Sequence, residues 1–141
     1  MGVVHLDAGV VIGLLDANDA HHTSAHLALV RISRDGHGLA MAASAFTECL
    51  VGPSRRGTAS VDIVRRLFER LPISIVALDS EIAATAARLR AQHAGLRLPD
   101  ALVIATAISR AADQLVTTDR RWPSAKAMKV KLIVTILGPD S

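Results

Sequence analysis

Short apolar runs rich in Val, Ile and Leu alternate along the chain with longer stretches whose apolar residues return every three or four positions. The first rhythm predicts strands and the second predicts helices. Val3–Leu6 reads as a short strand running into Asp7, and Gly9–Leu15 as an apolar helix. Asp16-Ala17-Asn18-Asp19 is a turn cluster. Between His21 and Arg34, Ala25, Leu29 and Ile32 line one helix face with Ala28 beside them; Asp35-Gly36-His37-Gly38 closes that helix, with a glycine available for a left-handed cap. Leu39–Ala43 is a weak strand. Ser44 is placed to cap the next helix, which carries Phe46, Glu48, Cys49 and Leu50 and is expected to stop at Gly52-Pro53.

Thr58–Arg70 is amphipathic, with Val61, Val64, Leu67 and Phe68 opposite Asp62, Arg65, Arg66 and Glu69, and Pro72 breaks it. Ile73–Leu78 is a β-branched strand. Asp79 or Ser80 caps an Ala-rich helix reaching about His93, with Gly95 closing it. Pro99–Ala112 is a further helix, because proline is tolerated at the first helical position. Leu115–Thr118 is a strand ending at Asp119, and Lys131–Leu137 a final one. Strands alternating with helices predict an α/β fold, a three-layer sandwich whose central, mainly parallel sheet is covered by helices on both faces. No repeat or linker divides the chain, so residues 1–141 are expected to form one domain.

Composition narrows the picture. Half the residues are hydrophobic, yet the only aromatics are Phe46, Phe68 and Trp122, so the core is built from Ala, Val, Leu and Ile. No apolar run reaches the roughly 18 residues that span a bilayer, and the N-terminus has no basic segment followed by a long apolar core, so neither a membrane anchor nor a signal peptide is expected. Cys49 is alone, which excludes an internal disulfide and suits a reducing cytoplasm. The net charge of +3 permits a nucleic-acid partner without demanding one. Its distribution is more telling: Arg55, Arg56, Arg65 and Arg66 lie mid-chain, and Arg120, Arg121, Lys126, Lys129 and Lys131 lie near the end.

The acids carry the chemistry. In open α/β sheets, binding sites lie beyond the carboxyl ends of the strands. Asp7 and Asp119 follow two predicted strand ends, while Glu48 and Asp100 fall in the first turns of predicted helices, so all four can face one crevice. Each has an ordinary reading as well: Asp7 as a helix cap, Asp119 as a turn residue, Glu48 and Asp100 as complements to helix N-termini. Together, however, four carboxylates at one end of a sheet repel each other, and burial raises that penalty. A divalent cation relieves it, and all-oxygen ligation selects Mg²⁺ or Mn²⁺ over zinc. Such a site suits phosphodiester hydrolysis by an activated water. Thr117, two residues before Asp119 on the same strand face, offers a hydroxyl to orient a carboxylate or that water. No zinc site is expected from His21, His22 and His26, which lack a Cys or Glu partner at useful spacing. Cys49, flanked by apolar residues, reads as packed rather than nucleophilic.

Ordered along the chain, Val4-His5-Leu6-Asp7-Ala8, His21-His22, Ser44-Ala45-Phe46-Thr47-Glu48, Val51-Gly52-Pro53, Leu96-Arg97-Leu98-Pro99-Asp100-Ala101 and Val116-Thr117-Thr118-Asp119-Arg120-Arg121 resemble the motifs of PIN-domain ribonucleases, specifically the toxins of VapBC-type toxin–antitoxin pairs. The resemblance covers nearly the whole chain. It implies a small α/β domain and Mg²⁺- or Mn²⁺-dependent endonucleolytic cleavage of RNA. Asp7, Glu48, Asp100 and Asp119 fall on the family's acidic quartet and Thr117 on its companion hydroxyl. It also implies a homodimer and a cognate antitoxin whose C-terminal segment lies over the groove and acidic pocket. Where the family often carries small hydroxyl or Asn residues after the first acid, this chain has Ala8 and Gly9.

On this reading Asp7, Asp100 and Glu48 ligate the metal, Asp119 holds a second metal or its water, and Arg55, Arg56, Arg120 and Arg121 guide the phosphate backbone. Scarce aromatics point to recognition of RNA shape and backbone rather than single-base stacking. The alternatives are a catalytically inert module acting through its antitoxin, a DNA-directed nuclease of the same chemistry, and a phosphoryl-transfer enzyme using Asp7 as nucleophile. The last lacks a second acid two residues beyond Asp7.

Overall fold

The structure is a computed structural model describing residues 2–141. Its strands are β1 (Val3–Leu6), β2 (Gly38–Ala42), β3 (Ile73–Val76), β4 (Gln114–Thr117) and β5 (Ile133–Ile136). They form one sheet in the order β3-β2-β1-β4-β5, and every neighbouring pair is parallel. The helices are α1 (Ala8–Leu15), α2 (His22–Arg34), α3 (Ala43–Arg56), α4 (Thr58–Arg70), α5 (Ser80–Gln92), α6 (Leu98–Ser109) and α7 (Ala125–Met128). They cover both faces of the sheet, as the strand–helix alternation predicts.

Side-chain size decides how closely the layers approach. Helix α6 buries Ala101, Val103, Ile104, Ala105, Thr106 and Ala107, so it is apolar on nearly every side. Such a helix has to be enclosed; α6 packs on β2, β4, α3 and α5. Ile82, Ala86 and Leu89 of α5 complete that contact from outside. The central strand β1 contributes Val4, His5 and Leu6, all buried. Burial pushes the His5 imidazole below its usual pKa, and the nearby Arg110 charge adds to that, so it sits in the core in neutral form.

Several local expectations are corrected. Ser44 caps nothing: α3 begins one residue earlier, directly from β2, with Ala42 at the cap and no side-chain cap bond. Pro53 does not stop α3, which runs on to Arg56 and ends at Gly57, whose φ of 122° an L side chain rarely adopts. Pro53 is buried on the side of α3 that faces α1 and α4, where packing outweighs the lost backbone hydrogen bond. The earlier start also moves Glu48 into the second turn of α3, where complementing the helix N-terminus is no longer an account of it. Gly95 does not close α5; that end is made by the His93 N–H bonding the Leu89 carbonyl. Helix α7 is too short for a periodic signal.

The cap of α2 comes from far away. His21 stands at its N-cap without a side-chain bond, and the carboxylate of Asp140 accepts from the Thr23 and Ser24 N–H groups, both at 2.9 Å. Among the described residues no helix is long and apolar enough to cross a membrane.

Candidate active site

Asp7 stands where β1 ends and α1 begins. Its backbone N–H donates to Val116 of the neighbouring β4 at 2.9 Å, so the sheet itself fixes its position. Its side chain caps α1, with Oδ1 accepting from the Ala8 N–H at 2.9 Å. The other oxygen, Oδ2, accepts from the Thr117 hydroxyl at 2.7 Å. Thr117 ends β4 and is fully buried. The same hydroxyl oxygen accepts from the Asp119 N–H at 3.1 Å. One threonine thus ties the first acid to the loop bearing the last, as its position on the strand suggested. Gly9 belongs to this tight packing: a Cβ there would collide with Thr118 Oγ1.

Asp100 lies in the first turn of α6, after Pro99, and is only 8% exposed. Arg97, three residues before it, donates from Nε to Oδ2 at 3.1 Å. Asp119 is gripped in the same manner by Arg121, whose backbone N–H and Nε reach Oδ1 at 2.9 and 3.2 Å and whose Nη2 reaches Oδ2 at 3.2 Å. These two acids and two arginines, with Gly95, Leu96 and the buried Trp122, line one small cavity of about 170 Å³. The indole nitrogen of Trp122 is buried and has no hydrogen-bond partner.

Electrostatics show which acids share a field. Burial pushes the Asp7 carboxyl up to about 6; hydrogen bonds from Thr117 and Ala8 oppose this, and the charges of Asp100 and Glu48 add to it. Glu48 is raised by partial burial and then by Asp100, with Arg97 opposing. Asp119 goes the other way, held below the usual carboxylate range chiefly by its Arg121 hydrogen bonds. Cys49 is pushed up to about 12 by burial and by the charges of Glu48 and Asp7, which leaves it a protonated, packed thiol.

Asp7, Glu48 and Asp100, from three separate elements, therefore repel one another in a partly desolvated corner. Asp119 joins them through Thr117 and through the cavity it shares with Asp100. The donor set is all oxygen, which fits a hard divalent cation. Among the described residues, however, no three His, Cys, Asp or Glu side chains stand grouped as a ready ion cage. Asp100 and Asp119 are each bonded to a guanidinium.

The basic candidates separate. Arg121 is in the site. Arg56 lines a groove of about 560 Å³ between α1, α3 and α4, whose wall also includes Glu48, Ile12, Leu15, Ile63 and Leu67. Arg55 is exposed at the end of α3. Arg120 lies beside Gly138, near the C-terminus. Sequence reasoning missed Arg97 and Trp122. Arg97 carried no helical signal, because it stands at the N-cap in extended backbone, outside α6.

A PIN domain family model matches residues 4–128. Solved structures with a similar fold include the VapBC2 complex of Rickettsia felis bound to a DNA fragment from their promoter, with a TM-score of 0.68, 18% identity, and 98% of this chain and 99% of that chain covered. A toxin–antitoxin complex from Klebsiella pneumoniae gives 0.63 and 21%, covering 82% and 86%. Mycobacterium tuberculosis VapC20, described as a Sarcin-Ricin loop cleaving toxin, gives 0.64 and 15%, covering 79% and 86%. At these identities the likeness is one of fold. No curated protein matches the chain in sequence at a significant level.

Proposed function

The chain belongs to the PIN domain family, and on that premise we propose that it is the toxin of a type II toxin–antitoxin pair, an endoribonuclease dependent on Mg²⁺ or Mn²⁺. The observation that carries this reading is the convergence of Asp7, Glu48 and Asp100 on one field of mutual repulsion at the carboxyl end of a parallel sheet. Solved structures of the same fold support it, one a toxin–antitoxin complex and one described as a Sarcin-Ricin loop cleaving toxin.

In this reading Asp7, Glu48 and Asp100 ligate the ion, and Asp119 holds a second ion or its water. When bound, such an ion lowers the pKa of a water, orients its attack and screens charge on the leaving oxygen. The chain's own part is positional. Thr117 keeps the Asp7 carboxylate turned one way and fixes the backbone at Asp119. The Ala8 N–H holds the other Asp7 oxygen. Arg55, Arg56, Arg120 and Arg121 steer the RNA backbone. The apolar groove beside Glu48 receives the antitoxin segment, which there covers the acids. The active form is a homodimer in the cytoplasm. We take residues 1–141 as one domain, a reading that the pairing of β5 with β4 beyond the matched residues supports.

The test is cleavage of total RNA by the purified chain with Mg²⁺, with EDTA and as Asp100→Asn. Discrete fragments absent from both controls are expected. Absence of RNA cleavage by the folded, antitoxin-free protein in either metal overturns the reading and leaves an inert module or a DNA-directed nuclease.

A further inference from the structure

The cavity shared by Asp100 and Asp119 presents an imbalance. Its acids are fixed, whereas its arginines reach in from solvent and differ in grip, Arg121 holding both oxygens of Asp119. The Asp100 side chain is 11% exposed and the Arg97 side chain 63%; for Asp119 and Arg121 the values are 16% and 76%. Asp100 is anchored by the first turn of a buried helix, and Asp119 by its backbone bond to Thr117. Each guanidinium reaches in from solvent on a flexible stem. Arg97 holds on by a single Nε–Oδ2 bond. A single-point pair with one partner this exposed contributes little to stability, and the bidentate Arg121 pair contributes more.

We propose that Arg97 and Arg121 are exchangeable counterions: they neutralise Asp100 and Asp119 while no divalent cation is bound, and when one binds they transfer to the phosphates of the RNA strand. The inference rests on the metal-dependent reading above. A guanidinium and a divalent cation both draw on the charge of the same carboxylate and repel each other beside it, so each weakens the hold of the other. A displaced arginine keeps its charge and its planar fork of donors, which suits a phosphate as well as a carboxylate. It is released at the rim of the acidic cavity, where a strand approaching the acids passes. Cation binding would then create the phosphate site, and by linkage RNA would strengthen cation binding by the same factor. Among the described residues no arginine is bonded to Asp7 or Glu48, so the device acts on one side of the site. If the arginines merely prop their carboxylates, the strengthening that a cation gives RNA binding does not depend on them.

The test uses the full-length chain without antitoxin, as wild type, Arg97→Gln, Arg121→Gln and the double variant. The emission of Trp122, the chain's only tryptophan, and thermal melting check that each is folded. Mn²⁺ binding is read by loss of the free-ion electron paramagnetic resonance signal. RNA binding is read by fluorescence anisotropy of an end-labelled mixed-sequence oligonucleotide, with Ca²⁺ and with EDTA, and with strand integrity checked on a gel. Each single variant is expected to bind Mn²⁺ about threefold more tightly or better. The double variant is expected to lose about tenfold of the strengthening that Ca²⁺ gives RNA binding in the wild type, a coupling of ordinary allosteric size. Unchanged or weaker Mn²⁺ binding in the variants overturns the proposal, and so does tighter Mn²⁺ binding with the RNA strengthening intact. If Mn²⁺ binds neither wild type nor any variant, the metal-dependent reading itself fails and this proposal with it; the first two failures leave that reading standing.

Discussion

Asp7→Asn separates folding from function at this site. The Asp7 carboxyl is displaced from 3.8 to about 6, which corresponds to about 3 kcal/mol against the charged form in the folded chain. Burial is the main cause, with the charges of Asp100 and Glu48 adding to it. Because the folded pKa lies above the unfolded one, the native state holds this proton between pH 3.8 and about 6 after the unfolded chain has released it. Stability from this group is therefore full below that window, falls as pH rises through it, and is gone at neutral pH. Asparagine keeps an oxygen for the Ala8 N–H, so the α1 cap survives. It deprives the Thr117 hydroxyl of a charged acceptor, a loss of about 1–2 kcal/mol.

That bond is already contained in the net displacement of the carboxyl, so the balance at pH 7, without metal, is a gain of about 2–3 kcal/mol, or roughly 4–12 °C in Tm for a domain of this size. Near pH 4 the two proteins converge, because the folded wild type then carries a neutral carboxyl too. The assay is urea and thermal unfolding of both proteins in EDTA from pH 4 to 8. The difference between them isolates Asp7 from the other titrating groups. Adding Mn²⁺ at pH 7 should then stabilise the wild type selectively, by about 2.7 kcal/mol at a hundredfold excess over Kd. RNA cleavage by Asp7→Asn should be lost throughout. A variant less stable than wild type at pH 7, or a difference that ignores pH, would refute the reasoning.

Three further outcomes follow from neighbouring residues. Thr117→Val removes the hydroxyl shared by Asp7 and Asp119 and should lower unfolding stability by about 1–3 kcal/mol while pushing the Asp7 carboxyl still higher; a change below about 0.5 kcal/mol in urea melts would contradict the bonding described. Cys49, its thiol pushed up to about 12, should resist a thiol reagent at pH 7–8 in the folded chain and react on unfolding, and prompt labelling of the native protein would count against its burial. Asp140→Ala removes the cap on α2, so amide exchange at Thr23 and Ser24 should accelerate at a fixed pH; the wild type should lose the same protection, taken relative to the intrinsic exchange rate, as pH falls through the lowered carboxyl pKa of Asp140.

Much of this protein is legible along the chain. Helix α4 is bounded by its amphipathic pattern and by Gly57 and Pro72, and β1 by its apolar run into Asp7, because these features depend on neighbours within a turn or two. The four acids stood out because each lies just past a strand end or near a helix start, and a parallel sheet gathers such positions at one end. The pairing of Thr117 with Asp7 was foreshadowed only as a hydroxyl able to reach a carboxylate. Tertiary packing decided the rest. It carried α3 through Pro53, which is held in a groove among three helices, and it brought Asp140 across the chain to cap α2. It also brought two local pairs, Arg97 with Asp100 and Arg121 with Asp119, into one cavity and set Asp7 and Glu48 beside Asp100. Local pattern records which side chains face inward and which near neighbours pair; which of these groups share a site depends on distances between elements far apart in sequence, and these exist only once the layers have packed.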